Sequence, residues 1–477
     1  MKVWLPLFLP FLSALGLCGE AAGPKIPILY STDLFHPHDD PDDHYDLATL
    51  FALPEFDIKG VILDLGAKQK QKTGRPAVEQ LMQITGRRVP VAIGLGKPLA
   101  SRADTAADQP EEFQGGAKLI LDTLRESREK IVLFSTGSCR DMAAAFNREP
   151  ALFREKVRAY YPNVGNGPGE TQNEYNVGLD GAAYERVFEM GAIVHWCPCY
   201  GKDGYATYYA VDQPTVVGAC TPAVQNYFVY CLTRSKDDPL AFLAFGPHPP
   251  PQGKRNMWCT APLLHAAGRQ VYQRDAGDFI ALQPADAEKA GLAGKAVEAY
   301  RFVPIRVTAG ETKAPATRLA EPPPGKTAAA FWGRDKDKVG THSTKPDGRA
   351  DCCVRVLGLD AAKPIRDLVV TGPRDGRWEL VETLRWWRVA YEREGSRLDC
   401  YFQFYAPGEH RIEIAYGDGT SQAATFDVPQ VGGPALSFDL DAREPNAVVF
   451  RVADKRYGQI IGSCLRNLLE GLARDNP

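Results

Sequence analysis

Short apolar runs alternate with amphipathic segments of helical period from Pro27 to about Ile280, and that alternation limits the possible folds more than any other feature of the chain. Residues 26–30, 56–65, 89–93, 130–134 and 192–196 read as strands. Residues 43–53, 75–86, 112–128, 140–147 and 182–190 read as helices between them. Strands that are apolar throughout, rather than alternately, are strands buried on both faces. Repeated strand–helix units of that kind build a mostly parallel open sheet flanked by helices. In such a sheet, ligands bind beyond the C-terminal ends of the strands. The stretch after residue 30 and Ser135-Thr136-Gly137 both fall at such ends.

The pattern changes after about residue 301. The Pro-rich Glu321-Pro-Pro-Pro-Gly325 and the charged Gly333-Arg-Asp-Lys-Asp-Lys338 read as linker or long loop. From 351 onward the period is two, with strands expected at 351–357, 365–371, 378–383, 386–391, 397–405, 410–416 and 423–428. Tyr416-Gly-Asp-Gly419 reads as a hairpin turn. Evenly spaced short strands predict a smaller β-sandwich, with further strands within 438–452 and a terminal helix over 459–473. The expected division is a signal segment at 1–23, an α/β domain at 24–300, a linker at 301–350, and a β-rich, Ig-like sandwich domain with a C-terminal helix at 351–477.

At 477 residues with 44% apolar content the chain holds enough material for more than one core. A net charge of −3 and the lack of a basic stripe argue against nucleic acid as a partner. Lys2, the apolar run 3–17 and Ala21-Ala22-Gly23 have the layout of a secretory signal, which predicts an exported protein, periplasmic or secreted. Leu17 before Cys18 argues against lipid attachment at that cysteine, and no other stretch is long and apolar enough to span a bilayer. Export permits disulfides, and Cys352 or Cys353 with Cys400 is the pairing favoured here. The other cysteines, Cys197 and Cys199 among them, sit in apolar surroundings and read as buried thiols.

The first strand runs into an acidic stretch in which Asp33, Asp39, Asp40, Asp42 and Asp43 lie within eleven positions. Carboxylates this dense repel one another unless solvent or a cation neutralises them. Two readings stay open on the residues alone. One is a solvated loop with an aspartate capping the next helix. The other is a site for a hard divalent cation, for which oxygen ligands are the natural set.

Several short motifs in order bear on that choice. They are Ser31-Thr-Asp33 with Asp40-Pro-Asp-Asp43 and Leu47-Ala48; Gly86 to Leu99; Val132-Leu-Phe-Ser-Thr-Gly137; Glu174-Tyr-Asn176 followed by Asp180; and Asp237-Asp-Pro-Leu-Ala241. Together, over about 26–243, they resemble the nucleoside hydrolase family of inosine–uridine-preferring type. The resemblance implies a nucleoside hydrolase-like open, mostly parallel sheet and a bound Ca²⁺. It implies Asp33, Asp43, Thr136 through its carbonyl, and Asp238 as the metal set. Asp33 would also take the proton of the attacking water, with Asp40 or Asp39 as rivals because of the insertion in the first loop. Asp42, Glu174, Asn176 and, on a looser match, Asn166 would hold the sugar.

The chain departs from the family pattern at Asp237, where the family often has His, and at 65–68, which lacks the usual Asn. His36, His38 and His44 fall in or beside the inserted loop, and His265 stands as a substitute acid. Trp196 to Tyr200 and Arg255 to Trp258 are aromatic stretches suited to lining a pocket or to core packing. The implied activity is Ca²⁺-dependent hydrolysis of the N-glycosidic bond of a ribonucleoside or related glycoside by activated water. The alternative is an exported carbohydrate- or nucleoside-binding protein that keeps the metal pocket without turnover. The partner expected is a small nucleoside or glycoside, with no membrane span. A homo-oligomer is compatible with this reading, and Trp386 and Trp387 offer a glycan contact in the β-rich part.

Overall fold

The computed structural model describes residues 25–477 apart from 171, 173, 192, 247, 276, 311–321, 334–351, 375–376, 384–389, 403–407, 429–435 and 473–477. The signal-like segment, Trp386 and Trp387 therefore lie outside the described residues, as do the side chains of Cys352 and Cys353.

Six parallel strands form the heart of the molecule: β1 (Ile26–Thr32), β2 (Phe56–Leu63), β3 (Val91–Ile93), β4 (Ile131–Ser135), β5 (Val157–Pro162) and β6 (Val194–Trp196). They are arranged in the order 3-2-1-4-5-6, so the order reverses between β1 and β4. Those two strands pair directly, Ser31 opposite Ser135, and a crevice opens at such a reversal. Helix α1 (Asp42–Phe51) leaves this crevice with Asp42 and Asp43 in its first turn, where the exposed N–H groups of a helix favour negative charge. Its other side chains, Tyr45, Leu47, Ala48, Leu50 and Phe51, are buried in the apolar cluster on one face of the sheet. Helices Gly115–Glu126, Arg140–Arg148 and Gly181–Val187 cover the other face. The expected α/β architecture is present; within its parallel sheet the sequence reading omits β5, whose exposed Arg158 interrupts an otherwise apolar run, and outside it the short strands Tyr209–Asp212, Lys254–Met257, Gln270–Asp275 and Asp278–Leu282.

The C-terminal region differs from the expected division. Strand Tyr300–Ala309 does not belong to a linker. It pairs antiparallel with Ala447–Val452, which pairs in parallel with β6, and Leu436–Asp439 pairs with the far end of Tyr300–Ala309. All three extend the large sheet to nine strands. The terminal helix Tyr457–Gly471 buries Ile460, Ile461, Cys464, Leu465, Leu468 and Leu469 in the same cluster as α1. The chain thus leaves the α/β unit at Ala309 and returns at Leu436, and those two residues are paired neighbours.

Between them, strands Ala328–Gly333, Cys352–Leu357, Arg397–Phe402 and Ala390–Glu394 form one antiparallel sheet. Strands Arg377–Thr383, Ile365–Arg374, Gly408–Tyr416 and Ser421–Val428 form another. Val354, Val356, Leu398 and Cys400 of the first share one apolar cluster with Leu368, Val370, Ile412 and Ile414 of the second. Among the described residues no helix is long and apolar enough to cross a membrane.

Candidate active site

A cavity of about 620 Å³ opens where the strand order reverses. Asp33, Asp39, Asp40, Asp42, Asp43, Asp46 and Glu174 line it, together with Phe35, Thr136, Asn163, Tyr175, Asn176, Cys199, Tyr200, Arg234 and Trp258. The pairing of β1 with β4 builds its floor. Thr136 N donates to the Ser31 carbonyl at 2.9 Å, which sets Asp33 and Thr136 side by side. Gly137 is required there, since a Cβ would stand 2.9 Å from the Asp33 backbone nitrogen. Asp43 Oδ1 accepts from Thr32 Oγ1 at 2.9 Å and from Thr136 Oγ1 at 3.0 Å. Asn176 Nδ2 donates to the Thr136 carbonyl at 3.2 Å and to the Asn163 carbonyl at 3.0 Å. Glu174 caps the short helix Tyr175–Leu179, accepting from the N–H groups of Asn176 and Val177, and also from Gly165 N at 2.9 Å. Backbone donors thus hold this carboxylate at the cavity wall.

The charge on the floor is under strain. Burial, and then Asp40, Asp46 and Asp33, push Asp42 well above the usual carboxylate range. Burial, and then Asp33 and Asp42, do the same to Asp43. Asp46 is pushed up to about 7 by burial, against hydrogen bonds from Cys259, and its Oδ1 has no partner among the described residues. The outer aspartates are compensated. Asp39 is paired with Lys68 at 2.6 Å and with Lys72, which hold it below its usual value even though burial opposes them. Asp40 meets Arg255 at 3.2 Å.

Of the site residues expected from sequence, Asp33, Asp40, Asp42, Asp43, Thr136, Glu174 and Asn176 come together here. Two do not. Asp238 is exposed and spends its carboxylate capping the helix Pro239–Leu243, at 3.1 Å from Leu240 N and 2.8 Å from Ala241 N. Asn166 has its backbone N–H and carbonyl bonded to Gln172 and does not line the cavity, whereas Asn163 does.

Besides α1 and Tyr175–Leu179, helix Thr260–Ala266 also starts beside the cavity, with Cys259 at its cap position and Trp258 on the wall. Cys259 Sγ lies 3.3 Å and Cys199 Sγ 3.7 Å from Asn163 Oδ1. Asp46, Asn163 and Cys259 were not selected from sequence as site residues. Asp46 lies one helical turn after Asp42 and Asp43, and that i, i+3/i+4 spacing is the signal that points to it.

Tyr200 and Trp258 form an aromatic wall, their ring centroids 5.8 Å apart. Both belong to the aromatic stretches noted above. Among the described residues no histidine lines the cavity. His265 Nδ1 is 2.9 Å from Tyr161 Oη within an aromatic cluster, and burial pushes its pKa down to about 4. His36 stacks on Tyr230, and His44 is fully buried.

As a donor set for a hard dication, the floor fits in kind. Asp33, Asp42 and Asp43 are oxygen ligands whose mutual repulsion a cation would relieve, and the Thr136 carbonyl keeps a second lone pair. Asp238 does not complete the set. Among the described residues no three His, Cys, Asp or Glu side chains stand close enough to hold one ion.

Residues 31–242 match the profile of the inosine-uridine preferring nucleoside hydrolase family, and every acidic residue lining the cavity falls inside that match. The N-terminal region is a nucleoside hydrolase domain. Its curated relatives include the pyrimidine-specific ribonucleoside hydrolase RihA of Escherichia coli O1:K1. That protein is 28% identical over 187 residues, covering 35% of this chain and 58% of the relative. The RihA of Citrobacter koseri is 27% identical over the same shares. The chain therefore spans little more than half the length of these relatives. A plant nucleoside hydrolase structure, PpNRh1, overlaps 53% of this chain and 84% of its own at 14% identity, with a TM-score of 0.35. The nucleoside hydrolase domain here is closed by strands and a helix from beyond the matched region.

Proposed function

We propose that the cavity hydrolyses the N-glycosidic bond of a ribonucleoside or a closely related glycoside. The observation that carries this reading is the convergence of Asp33, Asp40, Asp42, Asp43, Glu174 and Asn176 on one cavity inside the segment that matches the family. Glu174 and Asn176, fixed by backbone contacts, and Asp42 at the start of α1 hold the sugar hydroxyls. The carboxylates facing the sugar stabilise the oxocarbenium-like charge that develops as the bond breaks. Asp33 takes the proton of the attacking water; Asp40, tied to Arg255, is its rival. The aromatic wall of Tyr200 and Trp258 receives the leaving base. Asp33, Asp43 and the Thr136 carbonyl are the groups that would hold Ca²⁺, which when bound supplies the charge that acidifies the water.

The test is release of base and reducing sugar from a panel of purine and pyrimidine ribonucleosides, with and without calcium. Turnover abolished by Asp33→Asn supports the reading, and no base released by folded, calcium-loaded protein removes it.

A second reading is favoured by one observation, the position of Asp238 outside the cavity. It is an exported nucleoside- or carbohydrate-binding protein without turnover. It requires ligand-dependent thermal stabilisation in the absence of product, so any measurable turnover removes it. We place the protein outside the cytoplasm on the character of residues 1–23. N-terminal sequencing of exported material should find a mature start close to Gly23, and a retained Met1 in an unexported product would count against it.

A further inference from the structure

We propose that the substrate of this cavity carries a phosphoryl group, with Arg234 as its anchor at the mouth. The proposal rests on the hydrolase reading and narrows it to phosphorylated ribonucleosides.

The cavity has two electrical ends. Asp33, Asp42, Asp43, Asp46 and Glu174 crowd its inner part, whereas the basic residues Lys68, Lys72, Arg234 and Arg255 stand on the elements around it. Most of these bases are committed. Arg255 pairs with Asp40, and Lys68 and Lys72 share Asp39 while lying 4.6 and 5.0 Å over the ring of Phe35, another wall residue. Two ammonium groups on one carboxylate leave an excess of positive charge on that side. Arg234 lines the cavity and makes no ion pair among the described residues.

Its backbone adds an independent observation. Arg234 follows the helix Pro222–Leu232 with φ at 54°. Arg234 N donates to the Cys231 carbonyl and Ser235 N to the Tyr230 carbonyl. This is the left-handed helix ending in which glycine is the residue the backbone favours, because a side chain there crowds the following carbonyl. Arg234 thus stands exposed beside the cavity, at a position that glycine would favour and with no ion pair among the described residues, which leaves its guanidinium available to a ligand. The planar fork matches a phosphate in charge and geometry. An uncharged nucleoside would leave that group unmatched. A phosphorylated one directs its sugar to the acids and its phosphate to Arg234. In the reaction, the water oxygen bonds to C1′ as the C1′–N bond breaks. The water gives one proton to the carboxylate base, and the departing nitrogen gains one from solvent. The products are the free base and a ribose phosphate.

The experiment compares kcat/KM for a ribonucleoside and its 5′-monophosphate on the full-length, calcium-loaded protein. The monophosphate should be preferred by about tenfold or more, as a charge-assisted pair implies. Arg234→Gly should bring the ratio to about one without lowering Tm, and Arg234→Lys should keep part of the preference. Equal or poorer use of the monophosphate overturns the proposal, as does a preference that survives Arg234→Gly. Competition by inorganic phosphate as strong as that by the monophosphate also overturns it, marking a free-anion site instead. If neither compound is cleaved, the hydrolase reading fails by itself. Calorimetric binding then decides this one: tighter binding of the monophosphate, lost in Arg234→Gly, upholds it, and equal or absent binding overturns it.

Discussion

At the scale of residues, the floor of the cavity makes opposing demands on stability and function. Asp46 has a folded pKa of about 7, above its unfolded value of about 3.9. Between those values the folded state binds more protons than the unfolded state. The stabilisation from this group is therefore complete below about pH 4 and is lost as pH rises toward 7. In the presence of a chelator, Asp46→Asn should flatten the fall of Tm between pH 4 and 7 relative to the unaltered protein; an unchanged slope would show that Asp46 is not the titrating group. Asp43→Asn should abolish any calcium-induced rise in Tm, read by calorimetry with and without EDTA, while the fold persists because a buried repulsion has been removed.

Asp33→Asn and Asp40→Asn compete for the role of base. Whichever loses roughly 10²–10⁴-fold in kcat holds the proton-accepting carboxylate. Glu174 does two jobs, and Glu174→Ala should cost about 1 kcal/mol through the lost helix cap as well as weakening substrate. Glu174→Gln, which keeps an acceptor oxygen, should recover part of the stability in denaturant titrations.

Most of these side chains were legible in the sequence because they sit at strand ends or in a helix's first turn, where local pattern fixes position. Asp238 was not. Asp237-Asp-Pro-Leu-Ala241 has the local grammar of a helix start and obeys it, since Asp238 caps that helix. What local grammar does not state is where the helix lies, and on this wall of the cavity the helix start is the one beside Trp258, at Cys259.

At the scale of elements, parallel strands buried on both faces were readable from their unbroken apolar character, and helices from their period. Tyr300–Ala309 reads as linker from sequence, and the strands expected within 438–452 were not readable as members of the large sheet. Alternation reports which face is buried and carries no record of the neighbour. Ala447–Val452 stands between β6 and Tyr300–Ala309, and the helix after it supplies seven buried residues to the α1 core. Removing residues 436–477 should therefore unfold the nucleoside hydrolase domain, visible as loss of the cooperative thermal transition, even though nothing in the family match is deleted. A truncated protein that melts cooperatively at the original Tm would refute this account.

At the scale of the whole molecule, the β-rich region is an excursion from the sheet, with both ends at one point. Ala309 and Leu436 face each other across adjacent strands, about 5 Å apart by ordinary strand spacing. A two-residue Asn-Gly turn fits that gap. Replacing residues 310–435 with such a turn should leave a cooperative fold and the cavity intact, with Tm within a few degrees of the full chain. If the shortened chain fails to fold, the β-rich region supports the sheet in a way that its separate apolar cluster does not suggest.

The same return path sets a timetable for synthesis. A ribosome makes β1 to β6 and then Tyr300–Ala309 long before residue 447 appears. During that interval β6 presents an open strand edge to the cell, the kind of edge that invites pairing with other chains. The first three hundred residues cannot lock until nearly all of the remaining polypeptide has emerged. A carrier that shields nascent chains should bind this one most persistently over that window, and release it when the segment ending at Val452 slides into place.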